Sequence, residues 1–314
     1  MLVVSAHCGL FEERCALYEF YSHVTECAVP TFFSLSAYLF YSRIQDNENG
    51  NREILMHVMK RLSILYIIWI VLMLPISIPE FFMKATWKEL LYVIPFRSSF
   101  GGYWFIKALV INTALVYLFR KHLWVCSILS TIVYLFFAYD YMYGNISDKI
   151  HPYYTFFYHT YAFSFGALIA KYSKEINQRV DSVCPFIIAL VSMFVLSFIV
   201  EFRVISKLAY PILLTLLALK IKIDVDIEKC KAFRNDSILY YMLHFSLIYM
   251  LNHIFTIQVN SILRFLMIYS SSNPQPIEFS GILLVKRQKI ILLYIILAQQ
   301  KRRRHKIPLP HKAT

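Results

Sequence analysis

Two histidines stand out for the company they keep. His7 closes the apolar run Leu2-Val3-Val4-Ser5-Ala6. An imidazole titrates near neutrality, so it can take a proton from an alcohol and return one to a leaving group. An ionisable group at the edge of an apolar span is a functional candidate by default; the plainer reading is an interfacial histidine making one hydrogen bond. His244 closes Ser237-Ile238-Leu239-Tyr240-Tyr241-Met242-Leu243. Ser237, Tyr240, Tyr241 and His244 recur at the spacing of one helix face. Such a face is either polar packing between helices or part of a site.

The basic pairs Lys60-Arg61 and Arg120-Lys121 admit two readings. They orient the chain in a membrane, or they cradle the phosphates of a nucleotide-like cofactor. Lys107 is placed to snorkel, and His159 lies among aromatics, where packing is the plainer role. Glu201 and Arg203 fall in a turn between apolar runs and read as solvated or paired. None of the six cysteines forms a CxxC pair, so no metal motif appears. Cys8, Cys15 and Cys27 cluster, which leaves one disulfide open, with free thiols the plainer reading.

The elements that must hold these groups are hydrophobic. Of 314 residues, 58% are apolar and only 16% charged, with a mean hydropathy of +0.54. A soluble chain of this length carries more charge. The apolar residues come in runs near the length of a membrane span, about 20 residues. The chain is therefore expected to be all-α, a polytopic transmembrane bundle of about nine to ten spans, the first truncated, without a separate soluble domain. The net charge of +13 does not point to nucleic acid, because the basic residues sit in short connections between apolar runs.

In chain order, residues 1–10 resemble the last half of a helix, and 11–27 read as a polar, acidic loop. Spans are expected at about 28–42, 62–79, 103–119, 123–143, 153–171, 183–200, 204–220 and 237–256. Lys60-Arg61 opens the second of these, after a loop over 45–51. The final candidate, about 279–298, is interrupted by Lys286, Arg287 and Lys289. Residues 80–101 lie at the interface or re-enter. Counted over alternate connections, fourteen basic residues oppose eight, which places the richer set in the cytoplasm and 11–27 outside. Ser270-Ser271-Ser272-Asn273-Pro274 breaks the pattern, dividing a region over 1–272 from a basic, irregular segment over 273–314. There is no GxGxxG, Walker-type loop or GxSxG.

The most telling stretch is Val29-Pro30-Thr31-Phe32-Phe33-Ser34-Leu35-Ser36-Ala37-Tyr38-Leu39-Phe40. Proline suits a helix start, and small hydroxyls suit a face packed on other membrane helices. This stretch resembles the VPxFFxxSGYLF block of the integral-membrane acyltransferase-3 family, which O-acetylates sugars and polysaccharides. Other pieces follow in order. Val3–His7 resembles the end of that family's first helix, and Lys60-Arg61-Leu62 the basic pair opening its third. Tyr103-Trp104-Phe105-Ile106-Lys107-Ala108-Leu109 is similar to its WFLxAL block, Phe163-Ser164-Phe165-Gly166 to its FxxG block, and Ser237, Tyr240 and His244 to its late helix. Ser36-Ala37 stands where the family has Ser-Gly. The family's arginine, about eleven residues before the histidine, would precede Met1, hence the expectation of a truncated first span.

The resemblance implies transfer of an acyl group, acetyl above all, from acetyl-CoA to a hydroxyl of a cell-surface glycan or its lipid-linked precursor, in a bacterial inner membrane. It implies His7 as general base, and positioning roles for Ser36, Trp104, Tyr240 and His244. Lys60, Arg61, Arg120 and Lys121 would hold the phosphates, with no metal involved. The competing expectations are a transporter or flippase of the same glycan, which would favour internal repeats and broken helices, and an inactive truncated relative.

Overall fold

A computed structural model describes residues 16–45, 47–77, 104–143 and 157–221. Those residues are helical, with no strand among them. The helices are α1 (Ala16–Glu26), α2 (Ala28–Tyr41), α3 (Glu48–Ser77), α4 (Trp104–Leu118), α5 (Leu123–Tyr143), α6 (Thr160–Lys171), α7 (Ser173–Arg179), α8 (Cys184–Leu196) and α9 (Val200–Lys220). The expected spans beginning at 28, 62, 103, 123, 153, 183 and 204 each fall on one of them. Those at 237–256 and 279–298, and the half-helix over 1–10, lie outside the described residues. Among the described residues, Glu48–Val71 and Phe202–Lys220 are long and apolar enough to cross a membrane. The pair α7 and α8, bent by 103° at its break, passes the test together.

The bundle departs from the burial pattern of a water-soluble one in leaving apolar helix faces exposed. Helix α8 is almost purely apolar, yet has no buried residue. Helix α6 carries Thr160, Tyr161, Ser164 and Gly166, yet ten of its twelve residues are buried. Lipid tails solvate Leu and Ile as well as a core does, so an apolar helix can face outward, while small and hydroxylated residues pack between helices beside large buried rings such as Phe33, Tyr134, Tyr161 and Phe163. Helix α6 is accordingly the centre, packed by α2, α5, α9 and α4. Its tightest contact is with α2. A Cβ on Gly166 would overlap the Ser34 carbonyl, so only glycine lets the two backbones approach this closely. Beside that crossing, the Thr215 hydroxyl, which donates to the Pro211 carbonyl (2.6 Å), lies 2.8 Å from the Ser34 hydroxyl. Ser130 and Ser164 pair at 3.0 Å across α5 and α6.

Two boundaries differ from the sequence expectation. Residues 16–26, read as loop from their acidic residues, form α1. Cys27 between α1 and α2 keeps right-handed helical angles (φ −78°, ψ −13°), and the Thr31 amide bonds its carbonyl at 3.1 Å. One of the acids behind the loop reading, Glu26, is neutralised by Arg203 and Lys207 of α9, both at 2.9 Å. Helix α3 starts at Glu48 rather than near residue 62, so Lys60 and Arg61 lie inside it and do not open it. Asparagines set that start. The Asn47 side chain accepts the Asn49 amide (3.1 Å), as an N-cap residue does. Asn51, buried, exchanges two hydrogen bonds with the Gln45 backbone, at 2.8 and 2.6 Å.

Candidate functional site

Cross-bundle contacts define two ends. At one, Tyr41 donates to the Arg120 carbonyl (3.1 Å), and the Lys220 ammonium reaches the Ile176 and Asn177 carbonyls at 3.4 and 3.3 Å. At the other, His23 bonds the Ser197 carbonyl (2.9 Å) and stacks on Phe198, while Glu26 joins α1 to α9.

Three of the motif-bearing segments converge toward this second end. Phe33 of α2, Trp104 of α4 and His159, which caps α6, present three near-parallel rings. Their centroids form a triangle: 5.2 Å from Phe33 to His159, 5.3 Å from Trp104 to His159 and 6.3 Å from Phe33 to Trp104. Phe105 meets Phe32 and Phe33 edge-on at 4.9 and 5.1 Å. His159 is 2% exposed and Asn112 is fully buried. The Asn112 side-chain oxygen accepts the Thr160 hydroxyl at 2.7 Å. A rigid aromatic wall with a buried imidazole and a buried amide beside it suits a site that holds a polar group away from bulk lipid.

The expected site residues distribute as follows. Trp104 is half-buried in the ring triangle. Ser36 is half-buried on α2, two residues beyond Ser34, and it is Ser34 that makes the inter-helix contact. Arg120 and Lys121 sit at the opposite end. Arg120 pairs closely with Glu48 while Lys121 lies 3.7 Å from the same carboxylate. Lys60 and Arg61 are exposed on α3. They stand about 18 Å along the axis from Glu48, so the two basic pairs are not brought together by these helices. His7, Tyr240 and His244 lie outside the described residues. The three described cysteines, Cys27, Cys126 and Cys184, are free, and Cys27 donates to the Val24 carbonyl (2.8 Å).

Sequence reasoning ranked His159 as packing and did not connect it to Trp104. The available signal was its place just before the Phe163–Gly166 block. It also left Glu26 without a partner, because Arg203 lies far along the chain.

Residues 1–272 match the family model described as an acyltransferase domain, and the chain belongs to that family, acyltransferase-3. It is an acyltransferase of the kind that transfers groups other than aminoacyl groups, and it is membrane-embedded, in keeping with its apolar helices. Searches of curated proteins and of solved structures returned no match.

Proposed function

We propose that the protein is a membrane O-acyltransferase that moves an acetyl group from acetyl-CoA to a hydroxyl of a cell-surface glycan or its lipid-linked precursor. The family match over residues 1–272 carries this reading. The convergence of the Val29–Phe40, Trp104–Leu109 and Phe163–Gly166 segments supports it.

In the reaction, the acceptor oxygen attacks the thioester carbonyl, the C–O bond forms and the C–S bond breaks. His7 takes the hydroxyl proton and returns it to the departing thiolate. Hydrogen-bond donors within the bundle stabilise the oxyanion of the tetrahedral intermediate. Trp104 and Ser36, with Tyr240 and His244, orient the acceptor. Lys60 with Arg61, or Arg120 with Lys121, supplies the cations for the cofactor's phosphates, the two pairs standing too far apart to meet one phosphate. At Arg120 and Lys121 a phosphate would compete with the Glu48 carboxylate. The basic end faces the cytoplasm of a bacterial inner membrane, where the donor is made.

The test is transfer of radiolabelled acetyl from acetyl-CoA to surface glycan in membranes carrying the full chain. His7→Ala should abolish transfer while membrane insertion is unchanged. Transfer that survives the substitution would remove His7 from the mechanism. Export of unmodified glycan without label would favour the transport reading instead.

A further inference from the structure

At the basic end, the start of α5 and the junction of α6 with α7 form a surface outside the residues proposed for acyl transfer. The Trp124 indole N–H donates to the Tyr172 hydroxyl at 3.1 Å, joining α5 to that junction. Trp124 is 55% exposed. The Lys171 ammonium lies 5.6 Å from the Tyr172 ring and is exposed. Lys171 makes no ion pair among the described residues, so the patch is cationic. The adjacent Lys174 and Glu175 offset each other. Along α5 from this patch, Trp124, Ile128 and Ile132 are exposed in succession and form an apolar strip.

We propose that this is a binding site for an acidic glycerophospholipid. The phosphate lies beside Lys171, the Trp124–Tyr172 pair sits at headgroup level, and an acyl chain runs along Trp124, Ile128 and Ile132. Each part has its physical reason. Tryptophan and tyrosine settle at the membrane–water boundary, since each joins an apolar ring to a polar tip. Lysines beside a span attract anionic headgroups, each worth about a fivefold preference. An apolar strip beginning under the charges separates this from a site for a soluble anion. The inference is independent of which glycan is acylated.

The test uses the full chain in phosphatidylcholine vesicles to which brominated lipid is added. Bromine on the acyl chain quenches nearby tryptophan, and comparison with Trp124→Phe isolates the Trp124 signal. Brominated phosphatidylglycerol should quench that signal at a several-fold lower mole fraction than brominated phosphatidylcholine. Lys171→Gln should reduce the preference about fivefold, while Lys174→Gln leaves it in place. Equal quenching by the two lipids, or a preference unchanged in Lys171→Gln, would overturn the assignment. So would loss of the preference on adding coenzyme A, which would mark a soluble-phosphate site.

Discussion

The Tyr161 hydroxyl donates to the Lys207 carbonyl at 3.0 Å, and Lys207 is the residue four positions before Pro211. Proline has no amide hydrogen, so inside α9 it leaves that carbonyl without its helical partner. In a membrane an unpaired backbone group is costly, and a neighbouring helix must supply what the proline withholds. Tyr161, fully buried on the central helix, does so.

From this relationship, Tyr161→Phe should destabilise the protein by about 1–3 kcal/mol, the cost of leaving a buried acceptor unsatisfied. In a Pro211→Ala background the restored amide can satisfy Lys207, and the same Tyr161→Phe change should cost markedly less. Thermal unfolding of the four proteins in detergent measures the coupling. Equal costs in the two backgrounds would show that Tyr161 acts only through packing.

Gly166→Ala places a methyl on the Ser34 carbonyl, where backbone meets backbone and no flexible side chain can yield. The expected loss is at least about 1–3 kcal/mol, the usual range for overpacking. Gly50 is the control. A Cβ there meets only the Asn47 side chain, at 3.4 Å, so Gly50→Ala should be neutral or mildly stabilising. Detergent melting temperatures distinguish the two.

The Glu26 carboxylate is shared by Arg203 and Lys207. Glu26→Ala leaves two cations facing each other, half-buried, and should cost about 1–3 kcal/mol, less than a fully buried pair because water still screens the guanidinium. Adding Lys207→Met should recover part of the loss. Hydrogen exchange should locate the damage in α1, which Glu26 fastens to α9.

His159→Phe keeps a ring against Phe33 and Trp104, whereas His159→Ala opens a cavity beneath them. The phenylalanine variant should melt close to the parent, and the alanine variant about 2–4 kcal/mol lower in stability. Acetyl transfer by the phenylalanine variant then isolates the imidazole nitrogens. A loss of transfer is expected from a buried polar group in the membrane interior, and full activity would reduce His159 to packing.

Much was legible in the sequence because a bilayer imposes simple rules. Apolar runs of span length, basic residues in the connections and a Pro-led stretch with small hydroxyls determined a membrane bundle that is helical throughout the described residues, with Ser34 on a packed face. Local order also exposed the family blocks, since each is contiguous. What the sequence could not determine were relationships between distant residues. Composition marks Glu26 as a loop acid, and only α9 lying alongside α1 makes it a helix residue with two partners. Lys60-Arg61 reads as a span boundary by charge, but the asparagine cap at Asn47 and Asn51 starts the helix three turns earlier. Tertiary structure alone decided that Gly166 meets Ser34, that Tyr161 repairs the gap left by Pro211, and that His159 stacks with Trp104. Each depends on how two helices cross, and helix periodicity specifies which face a residue occupies but not which helix it will meet.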